Sequence, residues 1–127
     1  MLRPIPVSML KNSAVFKVCT GIDAWQNPTW EEYQVKNVHI QDTNEVKKNR
    51  ENKEVVLRSV LYVDSRLSTP SLDYRFLAEQ SEKAGEQMRC TVFDAQGETI
   101  GSFEIETVDI IPNVPATTVH HYELGLV

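Results

Sequence analysis

The adjacent pair His120-His121 is the first place to look for chemistry, because imidazoles ligate metals and carry protons near neutral pH. Neighbouring side chains of a strand point to opposite faces, so the pair is not expected to converge on one ion. The third histidine, His39, has no Cys or carboxylate at a recognisable ligand spacing. Cys19 and Cys90 form no CxxC pair, which leaves a metal knuckle or redox motif without support, and both read as small core residues. There is no GxSxG elbow, and the 5 glycines are scattered, so no phosphate-cradling loop is written. Glu104 and Glu106 share a parity and could pair as carboxylates, but the same alternation makes them the polar side of a half-exposed strand. The expectation is a non-enzymatic chain with no catalytic residue, no metal and no cofactor.

Charge points to one segment. The chain has 13 basic and 18 acidic residues, net -5, which argues against a surface given over wholly to nucleic acid. Residues 43–53 hold Lys47, Lys48, Arg50 and Lys53 against Glu45 and Glu51, so this segment is +2 and the remainder is -7. Such a stretch suits non-specific approach to a phosphate backbone, or is an ordinary loop of solvated charges. Trp25 and Trp30 bracket an earlier loop, where they could stack bases or anchor a loop or a subunit interface.

These residues must be positioned by strands. The 127 residues, 41% hydrophobic, suit one domain with a real core. Pro4 and Pro6 make the start an extended arm, residues 1–12, and interrupt the apolar run that a signal peptide or membrane helix would need. The first strand is expected over 13–19, a loop over 20–29, and a second strand over 30–40. In that second strand Tyr33 and Val35 hold one parity and Val38 and Ile40 the other, so a bulge is expected near Asn37. Residues 43–53 show no periodicity and read as a long solvated connection. The organising strand is expected over 54–64, with Val55, Leu57, Ser59, Leu61 and Val63 on a covered face and a wetter second side marked by Arg58 and Asp64. Residues 71–85 form the one helix, capped by Ser71 or Asp73 and ended by Gly85, with Tyr74, Leu77, Ala78 and Ser81 on one face. Strands 87–93 and 99–110 flank the turn Asp94-Ala95-Gln96-Gly97, Pro112 and Pro115 end the second of them, and 119–127 closes with Tyr122, Leu124 and Leu126 together. The fold class is therefore mainly β: a small antiparallel barrel or sandwich of about six strands with one short helix.

Taken together, Leu2-Arg3-Pro4-Ile5-Pro6, the step Lys36-Asn37-Val38, the run Leu61-Tyr62-Val63-Asp64 with Ser68-Thr69-Pro70, and His120-His121-Tyr122-Glu123-Leu124 resemble the minor capsid proteins of phages and prophages of Gram-positive bacteria. The chain is thereby similar to head-completion, or stopper, proteins of the head-to-tail connector. That resemblance implies a β-barrel subunit of a homo-oligomeric ring in the virion neck, assembled in the host cytoplasm, with portal or adaptor above and tail components below. It implies that residues 43–53 reach into the channel as a gate over packaged double-stranded DNA, with Lys47, Lys48, Arg50 and Lys53 facing it. Arg3, Pro4, Trp25, Trp30 and Tyr122 are the expected assembly contacts, and no membrane is involved. The alternatives are a tail-completion or adaptor component of the same neck, or a small barrel binding single-stranded nucleic acid through Trp25, Trp30 and the basic segment.

Overall fold

The computed structural model describes residues 7–49, 51–112 and 118–127. Arg3, Pro4, Arg50 and Pro115 lie outside them. A 3-10 turn, Val7–Met9, leads into β1 (Asn12–Ile22) and β2 (Pro28–Asp42). There follow β3 (Val46–Lys48), β4 (Glu54–Val56), β5 (Ser59–Asp64), α1 (Tyr74–Ala84), β6 (Arg89–Phe93), β7 (Thr99–Pro112) and β8 (Val119–Leu126). Six of these strands close a barrel in the order β1-β2-β5-β8-β7-β6, antiparallel at every step, and β6 pairs back to β1. The β1–β2 loop is shorter than its Gly, Asp, Asn and Pro content implied: β1 runs on to Ile22 and β2 begins at Pro28.

The interior is built by alternation. Ala14, Phe16 and Val18 of β1, Leu61 and Val63 of β5, and Tyr122, Leu124 and Leu126 of β8 all point inward and are buried. Both cysteines are free and buried within this packing. The parity switch in β2 is real: Asn12 pairs with Val38 and Ser13 with Lys36, so Asn37 is the extra residue, at φ 61°. Asn tolerates that left-handed conformation better than most side chains.

The helix has its expected ends and face. The Asp73 carboxylate accepts from the Phe76 N–H, Gly85 takes φ 115° at the C-terminus, and Lys83 sits in the last turn. Tyr74, Leu77, Ala78 and Ser81 are its buried residues, and Tyr74 meets Phe16 and Tyr122 ring to ring, with centroids 5.0 and 5.1 Å apart. The Ser81 hydroxyl accepts from the Cys19 N–H at 3.0 Å, which ties the helix to β1. The 94–97 turn is also as expected, with Asp94 Oδ1 accepting from Gln96 and Glu98 N–H groups and Gly97 at φ 84°.

Residues 43–64 depart from the sequence reading. The organising stretch is not one strand: it breaks at Leu57-Arg58, where Leu57 N–H donates to Glu45 O and Arg58 N–H to Leu126 O. Residues 54–56 pair with 46–48 as a separate two-stranded hairpin, so 43–53 is not an unpatterned loop. The side expected to be wet is covered as well, since Val60 and Asp64 are buried beside exposed Arg58.

Candidate functional site: the clamped hairpin and the corner after β5

The β3–β4 hairpin has two unlike faces. Val46, Lys48, Glu54 and Val56 are exposed, whereas Lys47, Asn49 and Val55 are half-buried and Leu57 is buried. The inner set lies against the outside of β7 and β8, because Gly125 falls between the inward Leu124 and Leu126 and presents its bare backbone outward. A Cβ there would sit 2.9 Å from both Leu57 methyl carbons and closer still to Thr107 Oγ1, so the missing side chain is what lets Leu57 seat itself. Asn49 Nδ2 donates to Glu106 at 3.1 Å, and Lys47 Nζ donates to Asp109 Oδ2. Hydrogen bonding to Asp109 pushes the Lys47 ammonium above its ordinary range, with partial burial opposing.

This placement redistributes the basic segment. Lys47 faces the barrel wall and is satisfied by Asp109, with Glu45 at 3.9 Å, so it is withdrawn from the phosphate-facing set. Lys53 points outward but lies 3.4 Å from Glu51, both well exposed. Lys48 is exposed and has no ion pair among the described residues. The pair Val46 and Val56, directly opposite each other and 56% and 61% exposed, forms an uncovered apolar spot on the outer face.

At the end of β5 away from Leu57, three of the motifs singled out in the sequence meet. Asp64 Oδ1 accepts from the Arg66 and Leu67 N–H groups at 2.8 and 2.9 Å, which builds the turn after β5. Ser68 Oγ accepts from Asp64 N–H and donates to the Asn37 carbonyl, while Asn37 Nδ2 donates to Leu67 O at 3.0 Å. Lys36 and Thr69 exchange both backbone hydrogen bonds. On the other side, Ser65 donates through N–H and Oγ to the His120 carbonyl. The bulge, the post-β5 turn and the start of β8 are thus one hydrogen-bonded corner.

Two expectations change here. His120 and His121 do meet, with their Nδ1 atoms 2.8 Å apart, because the β7–β8 register shifts between Ile111 and Pro112 and strict alternation is lost at this strand end. One ring nitrogen donates and the other accepts, while His121 Nε2 lies 3.1 Å from Glu123 Oε2. Among the described residues no group of three or more His, Cys, Asp or Glu is placed to hold a metal ion. Tyr122, expected at an assembly surface, is buried against Tyr74; its parity with Leu124 and Leu126 outweighs its polar tip. Trp25 is 81% exposed on the β1–β2 turn, and Trp30 lies under the Arg89 guanidinium at 5.1 Å. Glu104 is exposed, and Glu106, half-buried, sits at the register shift of β7 between Ile105 and Thr107. No helix of the described residues is long and apolar enough to cross a membrane.

Comparison of the chain with protein-family models, with curated proteins and with solved structures gives no match in any of the three.

Proposed function

We propose that the chain is a structural protein of a tailed-phage virion, a head-closure subunit that assembles into a ring at the head-to-tail junction, retains packaged DNA and offers the tail a docking face. The observation that carries this reading is the corner just described. The step at Asn37, the run ending at Asp64 with Ser68-Thr69, and the strand from His120 are three of the four motifs that carry the resemblance, and they are bonded neighbours. A barrel whose second and third ring strands, β2 and β5, are joined by a basic hairpin is also what the resemblance implies for a channel-facing element.

On this reading the free subunit carries the hairpin clipped to its own wall. Its contribution to a channel is the outward face with Lys48 and Lys53, not a free loop. Repeated modest contacts around the ring supply the stability that one contact lacks. The test is to add purified subunit to DNA-filled, tail-less heads: binding at the neck and arrest of DNA leakage are expected, and absence of both refutes the reading. Salt-sensitive binding of free oligonucleotides by the monomer would instead favour a nucleic-acid-binding barrel.

A further inference from the structure

The strand β2 is bonded on both sides only over its second half. Residues 38–42 pair with β5, and Lys36 exchanges both backbone hydrogen bonds with Thr69, but from Pro28 to Val35 the strand pairs with β1 alone. Backbone groups alternate sides along a strand, and the β1–β2 register is unbroken from Trp30 to Lys36. Gln34, Glu32 and Trp30 therefore turn their N–H and C=O groups the way Lys36 does, away from β1. None of those groups meets a backbone partner on that side among the described residues, and the side chains of Glu32 and Gln34 are exposed. Three free residues in a row are room for one short extended segment to add.

Residues 1–6, Met-Leu-Arg-Pro-Ile-Pro, carry the matching pattern. A residue before proline is held extended, so Arg3 and Ile5 suit a strand. Pro4 and Pro6 share one parity, so their missing N–H groups fall on one side while Arg3 and Ile5 keep theirs on the other. Such a segment pairs along one side only, and once added it presents a proline-blocked edge that stops further growth. In antiparallel register, the sense of every pair in the barrel, Arg3 opposite Glu32 sets Ile5 opposite Trp30 and Leu2 opposite Tyr33. Lys17 already faces Glu32 from β1, so Arg3 would be a second cation beside that carboxylate, and the fit rests first on the backbone.

The chain's own arm cannot make this contact. In that register Val7 would stand opposite Pro28, whereas Asn12 stands opposite Val38, roughly 33 Å of strand away and on the far side of β2. The five steps from Val7 to Asn12 span at most about 18 Å. We propose that residues 1–6 of a second copy add as a strand to the free edge of β2; this rests on the ring reading only in supposing that copies meet. Arm and edge are different surfaces of one chain, so the contact is head-to-tail, the kind that closes rings.

Single-cysteine reporters test the contact, because bonded antiparallel partners hold their Cα atoms about 5.5 Å apart, within the span of a disulfide. Cys19 and Cys90 are buried, and burial pushes the Cys90 thiol up to about 12, so they do not compete in the native protein. Arg3→Cys protein mixed with Glu32→Cys protein under mild oxidation should give mixed dimers in excess over a control mixture with Glu98→Cys. Glu98 is exposed in the turn after Phe93, across β1 from this edge. The reporter pair removes both charges, so it reads the backbone pairing. Adding Gln34→Pro to the Glu32→Cys protein removes an N–H that β1 does not use, and should bring the yield down to the control level while the circular dichroism stays that of the parent. Deleting residues 1–6 should weaken self-association on the order of tenfold, the scale of one or two net hydrogen bonds. Cross-linking no better than the control, or untouched by Gln34→Pro, with unmodified subunit still sealing heads, overturns this contact and leaves the connector reading intact. An intramolecular disulfide in dilute protein carrying both cysteines assigns the edge to the chain's own arm and overturns it too. Preferential cross-linking by a subunit that does not seal heads keeps the contact and overturns the connector reading.

Discussion

Gly125→Ala isolates the clamp that holds the hairpin to the barrel. Gly125 does not adopt a positive φ, so the substitution adds no backbone strain and its cost is steric. The new Cβ would meet both Leu57 methyl carbons at 2.9 Å and press on Thr107 Oγ1, a buried atom with no hydrogen-bond partner. Relief requires Thr107 to turn and Leu57 to withdraw, and overpacking of this kind costs about 1–3 kcal/mol. For 127 residues the unfolding entropy is roughly 0.27 kcal/mol/K, so each kcal/mol lowers the melting point by about 4 °C and the expected loss is about 4–11 °C. Leu57→Ala alone should cost about 2–5 kcal/mol through lost burial and a cavity. In the double variant the added methyl enters the space that Leu57 vacated, so the two penalties should fall short of additive by about 1 kcal/mol or more. Thermal melts of the four proteins measure the cycle. A Gly125→Ala protein that melts with the parent, or a cycle that sums without coupling, refutes the packing argument.

Three further outcomes are expected. Asn37→Val should destabilise by about 1–3 kcal/mol because a β-branched residue resists the left-handed backbone, whereas Asn37→Gly should cost less; chemical denaturation of both variants checks the order. Asp109→Asn should loosen the hairpin by about 0.3–1 kcal/mol, the figure kept small because Asp109 is 43% exposed, and the difference should shrink at high salt. Amide exchange at residues 46–48 and 54–56 reads it. Burial raises the Cys90 thiol and the Tyr74 phenol above their unfolded values of 9.0 and 10.0, so the folded chain keeps protons that the unfolded chain releases. Their contribution is complete below about pH 9 and is lost as pH rises through the folded values, so melting temperature should fall above pH 9, and less steeply in Cys90→Ala.

Much of the barrel could be read from residue pattern because its signals are local. Asp73, Lys83 and Gly85 mark the helix by capping and dipole alone, and the observed ends agree. The bulge at Asn37 was visible because the apolar parity of β2 flips there. The hairpin was not, for a physical reason: strands of three residues carry too little alternation to stand out, and this one is held by groups distant in sequence. Leu57 finds Gly125, and Lys47 finds Asp109, only once the barrel is closed. The same limit explains the histidines, since the register shift that brings His120 and His121 together lies between β7 and β8 and has no trace in either strand alone. Of the residues expected at assembly contacts, Trp25 is exposed on its turn, while Tyr122 was misplaced against the evidence of its own strand.

Closure of the barrel has a bearing on how copies can recognise one another. Each of its six strands has a hydrogen-bonding neighbour on either side over part of its length, so no barrel strand offers a whole free edge onto which a stray chain could zip, the usual route to runaway fibres. Free stretches among the described residues include the edges of the short β3–β4 pair and the part of β2 before Lys36, which pairs with β1 alone. Where the wall is paired on both sides, recognition must therefore be written in side chains.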